Sequence, residues 1–201
     1  MYNRFISKKD GILSMNDIFT DNNIIAATRS DAEFLCATES AVSVIFDLDS
    51  DIMTLPKKLK TAHESGKKLY VHIDLAHGIG KDASGIVFLK RMGVDGVIST
   101  KVNIIKLARE AGLSTVQRFF IVDSRSVHTT VEAVGSSRPD MIEIMPAVVG
   151  KVITRLVRDL DTPVIAGGLI ETEAEARTAI ECGAAAVSTG QKTLWQGATL
   201  L

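Results

Sequence analysis

The 201-residue chain is poor in cysteine, proline and aromatic residues, carries almost no net charge and has no long apolar run. Each scarcity excludes something. Its two cysteines, Cys36 and Cys182, both fall in predicted helices. They rule out a disulfide framework and read as small buried residues of a reducing compartment. Four prolines and no low-complexity tract argue against a linker or a disordered tail. A net charge of −1, with both signs mixed along the chain, excludes a strongly basic nucleic-acid binder. Aromatics at 5% leave few platforms for stacking bases. No apolar stretch approaches the roughly 20 residues that span a bilayer, so no membrane partner is expected. Residues 1–22 contain charges and no long apolar core, unlike a signal peptide. The expectation is a cytoplasmic protein of one domain.

What is present is a repeated alternation. Eight β-rich runs fall at 23–28, 42–48, 68–75, 95–99, 114–122, 140–145, 163–167 and 185–189. Most are continuously apolar, which suits parallel strands covered on both faces. Ser30 with Glu33 and Thr172 with Glu175 fit capping boxes. Gly66, Gly93, Gly112, Gly135 and Gly183 are expected to follow helices, where a left-handed residue closes the last turn. Eight strands at intervals of about 18 to 27 residues predict an α/β fold, a single (β/α)8 TIM-barrel-like domain over 23–201. Its loops are short, and one or two helices are trimmed to a turn. Residues 1–22 are read as an N-terminal arm or helix covering the barrel bottom. An open doubly wound sheet is the alternative.

In such a barrel the working face is the C-terminal end of the strands, and phosphate often sits on the loops after strands 7 and 8. Gly167 and Gly168 follow strand 7, and Ser188, Thr189 and Gly190 follow strand 8. Glycine lets backbone N–H groups approach an anion closely. These five residues are the expected phosphate site. Other strand ends carry Asp47, His72, Asp74, Lys101, Arg118 and Glu143, the expected lining of a polar pocket. Arg118 and Glu143 fall on neighbouring strands, so a structural ion pair competes with ligand contact. His72 reads equally as a hydrogen-bonded core residue, and Asp123 as a helix N-cap. No histidine, cysteine or carboxylate spacing marks a metal site, although Mg²⁺ on Asp47 or Asp74 with a substrate phosphate stays open. The segment "HGIGKDASG" (77–85) lacks the spacing of a P-loop or dinucleotide fingerprint.

The segments "VHIDLAHGIGKD", "DGVISTK", "QRFFIVDS", "PDMIEIMPA", "IAGGLI" and "VSTGQKTLW" together resemble the glycerol-3-phosphate-responsive antiterminators. The resemblance covers about residues 23–196. It implies a TIM-barrel regulator, not an enzyme, with glycerol 3-phosphate as effector and no cofactor. It also implies leader mRNA of glycerol-utilisation genes as partner, and a homo-oligomer is an option. Carried over, Gly167, Gly168 and Gly190 would hold the phosphate, Asp74, Arg118 and Glu143 would line the pocket, and Lys101 would add positive charge. The RNA partner has weaker support in the residues. The basic clusters Lys57-Lys58 with Lys60, Lys67-Lys68, and Arg155 with Arg158 read first as solvated helix faces. A TIM-barrel isomerase or lyase acting on a small phosphorylated metabolite is the alternative, with His72 and Asp74, or Glu143, as acid and base.

Overall fold

The computed structural model describes residues 23–147 and 149–197; the arm expected over 1–22 lies outside them. Eight parallel strands close into a barrel in sequential order. They are β1 (Ile24–Thr28), β2 (Val44–Asp47), β3 (Lys68–His72), β4 (Gly96–Ser99), β5 (Ser114–Phe120), β6 (Met141–Met145), β7 (Val164–Gly167) and β8 (Ala186–Thr189). Closure pairs β1 with β8, with Ile25 opposite Ser188. The helices among the described residues are α1 (Asp31–Thr38), α2 (Leu55–Glu64), α3 (Ala83–Met92), α4 (Val102–Glu110), α5 (Ser124–Ser137), α6 (Gly150–Asp159) and α7 (Glu173–Glu181). A 3₁₀ turn, Lys192–Gln196, stands where an eighth helix would follow β8. Its Trp195 is fully buried, and the indole N–H donates to the Thr189 carbonyl at 2.9 Å. One aromatic side chain thus seals the β8–β1 seam that a whole helix would otherwise cover.

Strand side chains sort into two apolar layers. Ile25, Phe46, Tyr70, Ile98, Val116, Met141, Ile165 and Ala186 pack inside the barrel. Ile24, Ile45, Val71, Val97, Ile142, Val164 and Val187 pack outward against the helices. Because successive strand residues face opposite ways, every polar strand residue is assigned to one layer by its parity.

Helix starts follow the local chemistry. Asp123 caps α5, and Thr172 caps α7, each with a reciprocal capping box. Ser30 caps α1, but the Glu33 carboxylate accepts from the Arg29 N–H at 2.6 Å, one residue before the box position. Gly66, Gly93, Gly112 and Gly183 have positive φ at helix ends as expected. Gly135 does not: it lies inside α5, whose C-cap is Arg138 in the left-handed region. The expected end of α5 was one turn early, since a glycine inside a helix costs only about 1 kcal/mol and packing outweighs it. "HGIGKDASG" forms the loop after β3, ending where Asp82 caps α3 by accepting from the Gly85 N–H at 3.0 Å.

Candidate functional site

Parity brings His72, Arg118, Glu143, Gly167 and Ser188 to the interior near the C-terminal end of the barrel, above the apolar layer of Tyr70, Val116, Met141, Ile165 and Ala186. Arg118 and Glu143 are register partners on β5 and β6. The Arg118 Nε–H donates to Glu143 Oε2 at 2.6 Å, and the Ser188 hydroxyl donates to Glu143 Oε1. Glu143 is wholly buried and Arg118 nearly so. The structural ion pair weighed from the sequence is therefore present, and it leaves part of the guanidinium unused. Arg118 Nη2 and His72 Nδ1 are buried polar atoms without a hydrogen-bond partner among the described residues. Burial, and then the nearby Arg118 charge, push His72 down to about 4 against the opposing pull of Asp74. At neutral pH the imidazole is uncharged, and the Arg118 and Glu143 charges offset one another. The floor is electrically near-neutral and carries buried polar atoms whose hydrogen-bonding capacity is not used among the described residues.

Gly167 also has a reason in the protein's own packing. A Cβ there would lie 2.5 Å from Ser188 Oγ and 2.7 Å from Glu143 Oε1. The absent side chain makes room for the protein's own Glu143–Ser188 hydrogen bond. Gly168 is required by its backbone, with φ of +74°, and Leu169 follows at φ +58°. Ser188 and Thr189 point to opposite layers. Thr189 faces outward, and its hydroxyl donates to the Ile170 carbonyl at 2.7 Å. That bond stitches the turn after β7 to the end of β8, so the two glycine-bearing turns are adjacent.

Of the remaining expected residues, Asp74 ties the end of β3 to that of β4. Its carboxylate accepts from the Ser99 hydroxyl at 2.7 Å and from the Thr100 N–H and hydroxyl at 2.7 and 2.8 Å. Burial opposes its ionisation, but these hydrogen bonds outweigh that and hold the carboxyl below the usual range. Lys101 is exposed at the start of α4, with its N–H donating to Ser99 Oγ at 3.0 Å. Asp47 is not brought to the pocket. It shares the parity of Ile45, faces the helix layer, and binds Lys58 of α2 at 3.2 Å through both carboxylate oxygens. Lys58, read from the sequence as part of a solvated cluster, is accordingly buried. Asp47 is thus turned away from the mouth, while Asp74 is held at it by three hydrogen bonds. No group of three histidine, cysteine, aspartate or glutamate side chains suited to a metal occurs among the described residues.

One residue of the rim was missed. A Cβ on Gly190 would meet Arg29 Nη1 at 3.3 Å, so this exposed guanidinium stands over the glycine at the β8–β1 seam. The signal was the alternation Ile25, Ala27, Arg29, which continues the interior parity one residue beyond the end of β1.

These features define a TIM barrel with a polar, ion-paired floor near its C-terminal mouth and a cationic residue on its rim. Residues 24–195 match the model of the glycerol-3-phosphate responsive antiterminator family. The chain is 33% identical to the glycerol uptake operon antiterminator regulatory protein of Listeria monocytogenes str. 4b F2365, with a TM-score of 0.85, covering 90% of this chain and 98% of that one. It is 34% identical to a glycerol uptake operon antiterminator-related protein of Thermotoga maritima MSB8, with a TM-score of 0.78, covering 87% and 98%. It is also 37% identical over 179 residues to the uncharacterized protein YgcP of Escherichia coli K12, covering 89% of this chain and 94% of that protein. The chain belongs to the glycerol-3-phosphate responsive antiterminator family.

Proposed function

We propose that the protein senses glycerol 3-phosphate at the barrel mouth and, when loaded, acts in the cytoplasm as an antiterminator on leader mRNA of glycerol-utilisation genes. The glycerol hydroxyls meet the floor at His72, Arg118 and Glu143, and the phosphate sits at the rim beside Gly168, Gly190 and Arg29, with Lys101 adding charge. The single observation that carries this reading is that two of the three buried polar atoms left unpartnered among the described residues, Arg118 Nη2 and His72 Nδ1, face the barrel interior, the third being Gln117 Nε2 on the outward face of β5. A buried polar group left unsatisfied costs about 1–3 kcal/mol, and a ligand hydroxyl would relieve that cost. The orientation follows from charge: an ion-paired floor suits a polyol, whereas a phosphate suits the exposed Arg29 guanidinium at the rim. No cofactor is required in this scheme, and a homo-oligomer is compatible with it.

The test is thermal stabilisation by glycerol 3-phosphate, with glycerol and inorganic phosphate as controls, followed by leader-RNA binding with and without effector. Arg29→Gln is expected to weaken glycerol 3-phosphate binding about tenfold while leaving the unliganded melting temperature unchanged. Full retention of affinity would remove Arg29 from the site. Turnover of the phosphate ester with no RNA binding would favour the isomerase or lyase alternative.

A further inference from the structure

We infer that single-stranded RNA docks on the C-terminal rim between α5 and α6, and that strand β5 links this surface to the effector pocket. The inference rests on the reading that the protein acts on a leader transcript. Phe120 and Val122, at and just beyond the end of β5, are 59% and 84% exposed. Large apolar side chains clustered in solvent mark a surface that meets a partner. Beside them lies a cleft of about 500 Å³ with Val122, Val149 and Val152 in its walls and Lys151 and Arg155 in its lining. That volume is in the range of small-ligand sites. A smaller cleft of about 280 Å³, on the side of α5 facing Phe120, is lined by Phe120 and Arg125.

The aromatic face of Phe120 and the guanidinium planes of Arg125 and Arg155 are the chemistry on which an unstacked base rests, with Lys151 left to meet its phosphate. Lys151 and Arg125 are exposed, and neither joins an ion pair among the described residues. Arg155 lies 3.5 Å from Asp159, which Arg158 contacts at 2.8 Å, so one carboxylate serves two guanidinium groups. The acid in the cleft, Asp123, is engaged as an N-cap, accepting from the Ser126 N–H at 2.7 Å. The other basic clusters lack this setting: Lys58 is buried against Asp47, and the Lys67 ammonium donates to the Ser40 carbonyl at 2.6 Å.

The link to the pocket is short. Arg118 and Phe120 share one face of β5, and Ile121, at the head of the cleft, donates its N–H to the Met145 carbonyl at 2.7 Å. A ligand that engages Arg118 Nη2 therefore acts on the strand whose end forms the cleft wall.

The experiment is fluorescence anisotropy with a labelled leader transcript of a glycerol-utilisation operon, and with oligouridylate of about 20 nucleotides, at saturating glycerol 3-phosphate. Lys151→Glu with Arg155→Glu is expected to lower leader affinity at least about tenfold and to reduce the salt slope by about two. The thermal shift caused by glycerol 3-phosphate stays at the wild-type value. Lys57→Glu with Lys60→Glu, an equal charge change on α2, leaves RNA binding intact. The proposal is overturned if the α6 variant binds leader like the wild type, or if the α2 variant weakens binding equally. Wild-type protein that responds to glycerol 3-phosphate but binds no RNA would overturn it together with the RNA half of the proposed function. If that protein is also a dimer that Val122→Asp disperses, the cleft belongs to a second copy of the chain.

Discussion

Arg118→Met tests the floor of the mouth most sharply. The substitution keeps much of the side-chain volume and removes the guanidinium, leaving the Glu143 carboxylate wholly buried with the Ser188 hydroxyl as its remaining partner among the described residues. Removing one partner of a buried ion pair typically costs 3–5 kcal/mol, because the surviving charge stays desolvated. Serine donation to Glu143 offsets part of this, so a loss of about 3 kcal/mol is expected. For a chain of this size that lowers the melting temperature by roughly 10 °C. Replacing both partners, as Arg118→Met with Glu143→Leu, removes the stranded charge and is expected to recover most of the stability. The assay is urea unfolding of wild type, both single variants and the double variant, each with and without glycerol 3-phosphate. Structural and ligand roles then separate: the double variant regains stability but shows no ligand-induced stabilisation. Two results would refute the reasoning. An Arg118→Met variant losing under 1 kcal/mol would mean that the buried pair is not energetically coupled. A double variant that still responds fully to ligand would mean that the floor does not touch the effector.

Three further outcomes follow from the same geometry. Lys58→Met breaks the outward-facing pair with Asp47 and is expected to cost a few kcal/mol in urea unfolding while the glycerol 3-phosphate response of the folded protein persists, since Asp47 faces the helix layer; a lost response at full occupancy of the fold would contradict that placement. His72 sits at about 4 in the folded chain against 6.5 when free, so the unfolded state takes up the proton first as pH falls. Its contribution is present above pH 6.5 and is lost on acidification towards 4, a loss of about 3 kcal/mol that His72→Gln should remove from the pH dependence of unfolding. Gly168→Val forces a β-branched residue to φ of +74° with Met145 Cε 3.0 Å from the new Cβ, costing about 1–3 kcal/mol and abolishing ligand-induced stabilisation; an unchanged ligand response would remove this turn from the phosphate site.

The sequence by itself determined the number, order and type of the elements. All eight strands lie where apolar runs were read, because buried parallel strands need continuous apolar residues. Capping residues set several helix starts, as Asp123 and Thr172 show, because they satisfy backbone donors locally. Parity was harder to read, for the same reason that the strands were easy. With both faces buried there is no polar alternation to mark inside from outside, so Asp47 and Glu143 both read as acids lining the pocket. Only barrel closure sends Glu143 to the floor with Arg118 and Ser188 while turning Asp47 outward to Lys58. The glycines divide in the same way. Gly168 answers to its own backbone dihedral, a local property, whereas Gly167 answers to side chains 24 residues before it and 21 after it, which meet only because β6, β7 and β8 lie side by side. Arg29 reaches Gly190 only because β1 closes on β8. Local chemistry wrote the elements, and the tertiary contacts between distant strands decided which polar residues face one another.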